Sequence, residues 1–450
     1  MEKISGNIKI TSLVAFVLCQ ILLAILSSAY EKIYFDIYMS LFCPTLIFVI
    51  SLFGITVYIQ SNLLFAFCVG LLIQISTFIQ TILGQSLKET LSVCFASIAA
   101  ALLLTLGYER LYRSERIFQK LPYIAAFTVM VLYIILIITG TTKNGTRAWL
   151  YIGPVSFQAT EPIKFLSVIT LAGFLSFESI SERFRYLFSL GFLAFNAVGL
   201  ILIKELGTLL LLCLVFITLC ALFLKARYSV FNLGLAFITM GGGIVLVSYI
   251  ISLFDEGKIP FSGIVALSQK ISNRFSTAVN SNTDPLGGSF QLLQGQKAMI
   301  LGGPFGNKSV DVTVPVGESD FIFSIIVLRL GCIFGAVILI LFLLSWICGL
   351  YGIVKSNSLE FEKAIGIGSL SLGFFQMLIP IMGNLGIIPL TGLPIPFLAR
   401  GGTSYMISFC EAALVLWLTS PRRINGQGRK KEEEKCPPKR KRPVATGSET

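Results

Sequence analysis

Thr283-Asp284-Pro285-Leu286-Gly287-Gly288 opens, and Glu318-Ser319-Asp320-Phe321-Ile322-Phe323 closes, the one long polar interruption in a chain that otherwise runs from one apolar segment to the next. Between them lie Gln291, Gln294 and the glycine group Gly302, Gly303 and Gly306, and the stretch fades at Gly331. Asp320 is its last acid. It stands at the first turn of an apolar helix, at the level where water gives way to hydrocarbon. On either side, apolar runs of roughly 17 to 25 residues recur, the length a helix rising about 1.5 Å per residue needs to cross a hydrocarbon core. With 450 residues, 55% of them hydrophobic and 13% charged, and a mean hydropathy of +0.84, the chain reads as a polytopic membrane protein.

Lys3 and Lys9 precede the apolar run 11–29, which is expected to stay as an uncleaved anchor because more spans follow. Further spans are expected over 39–60, 62–84, 91–107, 122–139, 163–178, 187–203, 207–224, 232–253, 321–350, 362–384 and 403–420. The fold class is therefore all-α, with about twelve transmembrane helices. The organisation read from it is two additional N-terminal helices over 1–60, a core over 61–420 with a large loop at 254–320, and a disordered basic tail over 421–450.

Basic residues set the orientation, because they stay on the cytoplasmic side. Arg110, Arg113, Arg116 and Lys120 share one connection, and Arg183 with Arg185, Lys225 with Arg227, and Lys355 with Lys363 take later alternate ones. Both termini are then cytoplasmic, and the connections 140–162, 254–320 and 385–402 lie on the outer face. The net charge of +12 does not point to nucleic acid: ten basic residues against four acidic ones sit in the tail after Pro421. That is the composition of a solvated tail following many spans.

Ten cysteines without paired spacing, most inside the apolar runs, read as small core hydrophobes. Histidine is absent, which removes imidazole from acid–base chemistry and from zinc ligation. A carboxylate, lysine, tyrosine or cysteine must do any proton transfer.

Chemistry-bearing residues cluster in the outer connections. Asn144-Gly145-Thr146-Arg147-Ala148-Trp149 reads as a turn followed by a basic–aromatic pair, either an interface anchor or a substrate contact. Gln158-Ala159-Thr160-Glu161-Pro162-Ile163-Lys164 leads into a span; Thr160 or Glu161 is placed to cap it, and Glu161 and Lys164 share a helical face and can pair. Lys204-Glu205-Leu206-Gly207 is a charged break, a solvated turn or a functional one. Pro389-Leu390-Thr391-Gly392-Leu393-Pro394-Ile395-Pro396-Phe397, followed by Arg400-Gly401-Gly402-Thr403-Ser404, describes irregular backbone, which is tolerated at membrane depth only where protein shields it. Asp320 itself suits either an N-cap of the following helix or a catalytic acid.

Four of these segments, in order, resemble the SEDS family (shape, elongation, division and sporulation), whose best-known members are RodA and FtsW. The family's Asn-Gly-Ala-basic-Arg-Trp is similar to 144–149 in shortened form, and Gln-Pro-Ser-Glu-x-x-Lys to Gln158, Ala159, Thr160, Glu161 and Lys164. Asp-Pro-x-Gly-x-Gly-x-Gln, then Gln, Gly-Gly and Asp-Phe-Ile-Phe, is similar to 284–323, and Pro-Leu-Thr-Gly-x-Pro-x-Pro-Phe with Gly-Gly-x-Ser to 389–404. The Leu393-Pro394-Ile395-Pro396 form leans toward RodA. The resemblance implies a ten-span core and a peptidoglycan glycosyltransferase that polymerises lipid II beside a class B penicillin-binding protein, in cell shape, division or sporulation. It also puts Asp320 at the family's catalytic aspartate.

Such a reaction needs a base for an attacking sugar hydroxyl and positive charge or a metal for the leaving diphosphate. Asp320 fits the base. Arg147, Lys164, Arg274 and Lys297 are candidate cations, of which Lys297 matches no family motif. Trp149, Gln158, Glu161, Gln291 and Gln294 complete the expected substrate-binding set, and Mg²⁺ or Mn²⁺ at Asp320 stays open. The chain departs from the family where Pro-Asp-Leu-Gly is Lys204-Glu205-Leu206-Gly207, where the Asn of Asn-Ile-Gly is Pro380, where Ser-Tyr is Ala399-Arg400, and where Glu-Glu-Leu-Gly is Leu328-Arg329-Leu330-Gly331. An arginine inside a span needs a partner, and counting rise along continuous helices pairs Arg329 with Glu411. Two other readings fit many spans with internal charges: a flippase for lipid-linked precursors, and a non-catalytic scaffold for a transpeptidase.

Overall fold

The computed structural model describes residues 62–84, 87–112, 118–143, 145–153, 155–177, 179–225, 228, 289–307, 309–310, 312–356 and 358–420. The expected N-terminal spans, the span 232–253, Arg274, the Asp284–Gly288 motif and the basic tail lie outside them. In chain order the helices are α1 (Leu63–Ile82), α2 (Leu87–Tyr112), α3 (Leu121–Thr139), α4 (Thr160–Ser176), α5 (Glu182–Leu202), α6 (Leu206–Phe223), α7 (Phe290–Gly302), α8 (Ile322–Leu330), α9 (Cys332–Lys355), α10 (Glu360–Asn384) and α11 (Gly402–Leu418). Three strands, β1 (Thr141–Lys143), β2 (Thr146–Ile152) and β3 (Val155–Gln158), join α3 to α4.

Among the described residues six helices, α1, α3, α5, α6, α9 and α10, are long and apolar enough to cross a membrane, and α11 is a shorter apolar helix. The chain is a multi-pass helical membrane protein. Its helices divide by burial: the apolar windows of α1 and α10 are 83% and 67% buried, those of α3, α5 and α9 28% each. The first two are therefore inner helices. The outer three turn residues such as Phe127, Ile138, Phe188, Val198, Ile340 and Leu344 away from the bundle, the direction in which lipid takes the place of water.

Several polar side chains buried between spans bridge neighbouring helices. Tyr133 and Ser167 both donate to Asn196 Oδ1, at 3.0 and 3.1 Å, and so knot α3, α4 and α5 together. At the end of the bundle that carries Lys120, Arg185 and Lys363, Glu362 accepts from the Leu359 N–H, giving a free N–H of the first turn of α10 a partner, and from the Tyr108 hydroxyl on α2. Cys68, Cys213, Cys220, Cys332, Cys348 and Cys410 are free thiols.

Two departures from the sequence expectation shape the other end. The 141–158 connection is an antiparallel sheet in the order β1-β2-β3, with Trp149 opposite Gln158 and Leu150 opposite Phe157. Thr146, Trp149, Leu150, Tyr151 and Ile152 favour strand, and Gly145 and Gly153, both at positive φ, make the turns.

The span expected over 321–350 is two helices, parted at Gly331, whose φ of +92° is open to glycine and strained for other residues. The glycine group noted in the sequence explains the break. A side chain at Gly302 or Gly306 would overlap the backbone of 327–330, so the end of α7 and the segment leaving it lie directly on α8 and the break. The segment's amide and carbonyl groups bond across: Asn307 N–H to Leu328 C=O at 2.7 Å and Cys332 N–H to Gly303 C=O at 2.9 Å.

Candidate active site

Asp320 ends a tight turn over 315–320. Val316 takes a φ of +55° there, and the Ser319 and Phe321 amides donate back to its carbonyl at 3.2 and 3.3 Å. A β-branched residue in that region costs on the order of 1–3 kcal/mol and persists only where its surroundings impose it. The imposing contact comes from α11's leading loop: the Arg400 N–H donates to the Glu318 carbonyl at 2.9 Å, and the two side chains form an ion pair. Asp320 is not the helix cap, the alternative that the sequence allowed. Phe321 is the N-cap of α8, without a side-chain bond. The Asp320 carboxylate instead accepts from the Ser319 hydroxyl at 2.9 Å, and it faces Gly392, where a Cβ would stand 3.5 Å from Oδ2.

That glycine belongs to the irregular segment 385–401. Leu393, Ile395, Leu398 and Ala399 are buried in it. Two buried glutamines answer the carbonyls that a non-helical backbone leaves open: Gln376 Nε2 donates to Pro394 C=O at 3.3 Å and Gln80 Nε2 to Leu398 C=O at 2.9 Å. The re-entrant character expected from the prolines is met by this shielding.

Next to the 315–320 turn a cavity of about 720 Å³ opens among the sheet, that turn and the last loop; Ser319 lines it, and Asp320 follows directly without being one of its wall residues. The sheet supplies Lys143, Trp149 and Ser156; the turn supplies Val316, Gly317, Glu318 and Ser319; and Arg400, Gly401 and Gly402 come from the last loop, with Arg329 from α8. Connections assigned to one face by charge alone thus converge at one end of the bundle. The Lys143 ammonium sits over the Trp149 ring, 4.7 Å from its centroid. The cavity's charged side chains are three cations against the single carboxylate of Glu318, itself held by Arg400. Among the described residues no three His, Cys, Asp or Glu side chains gather as metal ligands.

The other expected site residues separate. Trp149 lines the cavity. Gln158 joins β3 to α11 through its backbone, its N–H donating to Thr403 Oγ1 at 3.1 Å. Arg147 is exposed and stitches the sheet to the helix ends, with Nε on Gly140 C=O at 2.8 Å and its N–H on Ile203 C=O at 2.9 Å. Gln291 and Gln294 lie on α7, the first exposed and the second half-buried, and neither lines the cavity.

Glu161 and Lys164 pair at 2.8 Å as their spacing allows, but both are buried, at 2% and 1% exposure, and away from the cavity wall. Neither Thr160 nor Glu161 caps α4. Its N-cap is Ala159, and the Thr160 hydroxyl is buried without a partner.

The expected Arg329–Glu411 pair needs correction. Gly331 ends α8 just after Arg329, so that residue lies at the cavity wall and not along a continuous span. Glu411 lines a separate inner cavity with Ser345, Ser369 and Trp346, and the charges it feels are those of Lys164 and Glu161. A residue left open by its sequence is Glu205, which is buried at 5% exposure and accepts from Thr208 Oγ1 at 3.4 Å. The next turn packs Gly207 against Thr391 and Leu393, the segment that faces Asp320. Lys143 and Arg400 were not among the candidate cations, because they stand on separate loops.

A helical membrane protein with a polar, cation-lined cavity at one end and a carboxylate on a constrained turn beside it is the class these features define. The cell cycle protein family of FtsW, RodA and SpoVE matches residues 55–423, and the chain belongs to that family. It is 29% identical to Stage V sporulation protein E of Bacillus subtilis, over 68% of this chain and 80% of that one. It is 27% identical to the probable peptidoglycan glycosyltransferase FtsW of Alteromonas naphthalenivorans, again over 68% of this chain but 57% of the relative, so the similarity spans little more than half of that protein. In fold, it resembles a chain from a peptidoglycan synthase complex that coordinates polymerization and crosslinking, with a TM-score of 0.60 at 20% identity over 80% of this chain and 97% of that one. A mutant form of the rod shape determining protein RodA of Thermus thermophilus gives 0.54 at 19% identity, over 80% and 97%.

Proposed function

We propose that the chain is a peptidoglycan glycosyltransferase that polymerises lipid II, with Asp320 as general base. One observation carries the reading: a carboxylate fixed on a turn, locked to a second loop by Arg400 and facing Gly392 of that loop, accepts a hydrogen bond from Ser319, which lines a polar cavity of about 720 Å³. In the reaction a sugar hydroxyl forms a bond to an anomeric carbon, its proton passes to the Asp320 carboxylate, and the bond from that carbon to the diphosphate oxygen breaks. With no histidine in the chain, the carboxylate has no imidazole competitor for the role.

The active end faces outward and both termini lie in the cytoplasm, the arrangement supported by basic residues at the opposite end of the bundle. The partner is a class B penicillin-binding protein, supported by the likeness in fold to a chain of a peptidoglycan synthase complex. Purified protein given lipid II tests the activity. Asp320→Asn should lower polymerisation by roughly 10² to 10⁴-fold with unchanged thermal melting in detergent. Polymerisation by the variant at the unmodified rate would remove Asp320 from the chemistry, and no polymer from the unmodified protein would leave the flippase or the scaffold.

A further inference from the structure

We propose that Lys143, Arg329 and Arg400 form the anion-binding wall of the outward cavity and hold the diphosphate of a polyprenyl-diphosphate-linked sugar. The inference deepens the polymerase reading and rests on it for the identity of the sugar donor. Its own ground is the cavity lining. Three cations on three different elements, β1, α8 and the loop before α11, converge on one space next to the 315–320 turn. Each is held at the wall by the structure around it. The Trp149 ring holds the Lys143 ammonium at the wall. Arg329, in the last turn of α8 just before the break at Gly331, lines the cavity. The backbone bond from Arg400 to Glu318 fixes the third.

Gly401 and Gly402 line the same space at the start of α11, a 17-residue helix, so its N-terminal amides add to the same electrostatic sign. A leaving diphosphate gains negative charge as its bond to the sugar breaks, and guanidinium groups match phosphate oxygens in geometry as well as charge. None of the cations expected from the sequence takes this role among the described residues: Lys164 is spent on Glu161, and Arg147 and Lys297 lie off the wall. Two of the three that do, Arg329 and Arg400, stand at positions where the family pattern reads differently.

Glu318 gives the proposal a sign that a structural role would not share. It is the acid held by Arg400, so it competes with a bound diphosphate for that guanidinium. Steady-state polymerisation of lipid II by the full-length protein should show KM raised roughly tenfold in R329Q and in R400Q, with kcat changed less. R329K and R400K, which keep the charge but not the planar fork, should fall between the unmodified protein and the glutamine variants, and E318Q should lower KM. A parallel measurement needs no turnover: affinity for undecaprenyl diphosphate in detergent should fall by a similar factor in the two glutamine variants and weaken with salt.

Unchanged KM and unchanged lipid affinity in R329Q and R400Q overturn the proposal. So does a KM in E318Q that rises as it does in the arginine variants, since that would make the pair a structural clasp. A protein that binds the lipid diphosphate through these arginines but forms no polymer supports the site and removes the polymerase reading.

Discussion

Two ion pairs of the same chemistry sit in opposite settings. At the rim of the cavity Glu318 and Arg400 are 45% and 46% exposed, while in the bundle Glu161 and Lys164 are 2% and 1% exposed. An exposed pair is screened by water and contributes about 0–1 kcal/mol, so its members remain available to a ligand. A buried pair has already lost several kcal/mol of hydration per ion, and each member depends on the other. The difference assigns roles. Charge at the rim acts on what enters the cavity, and charge in the core acts on the fold.

The largest effect expected from this contrast follows from removing Lys164. Lys164→Ala would leave the buried Glu161 carboxylate without its cation, and should destabilise the protein by about 3–5 kcal/mol, read as a large drop in melting temperature in detergent. Replacing both members of the pair, Glu161→Leu with Lys164→Met, should recover most of the loss, because no charge is then stranded. A Lys164→Ala protein that melts like the unmodified one but shows a raised KM would put Lys164 back in the substrate-binding set and dissolve the contrast.

The spans were legible because hydropathy needs only local composition, and α1 to α6, α10 and α11 fall where the apolar runs put them. The Glu161–Lys164 pair was legible for the same local reason, one helical face at a spacing of three. What the sequence concealed depends on contacts between distant segments. Counting rise past Asp320 assumed one helix, but Gly302 and Gly306 draw the end of α7 and the segment leaving it onto α8 and the chain breaks at Gly331, which takes Arg329 away from Glu411. Glu205 reads equally as part of a solvated or a functional turn, and only the folded chain shows it buried, with Gly207 beside it against Thr391 and Leu393. Lys143 and Arg400, far apart in sequence, become one site only when the sheet and the last loop fold onto the same end.

A smaller effect probes how the rim holds its catalytic acid. Gly392 has a φ of +69°, and an added Cβ would touch the Asp320 carboxylate at 3.5 Å. Gly392→Ala should cost about 1–2 kcal/mol of stability through the left-handed backbone alone. It should also lower kcat by roughly tenfold or more, because relief of the left-handed strain moves the loop that the Asp320 carboxylate faces. Stability lost with kcat intact would mean that Asp320 takes its position from the 315–320 turn and not from the loop opposite.

The smallest effect is the sharpest test of the rim as a ligand-facing surface. Glu318→Gln keeps the backbone bond from Arg400 and removes a half-exposed ion pair, so the melting temperature should move by the equivalent of less than about 1 kcal/mol. A loss of several kcal/mol would show that Glu318 and Arg400 behave like the core pair despite their exposure, and the rim would then be held by its charges instead of offering them. Near-neutral stability leaves the Arg400 guanidinium free to exchange one anion for another. That exchange is what a cavity must do if a diphosphate is to enter it, be held while its bond to the sugar breaks, and leave.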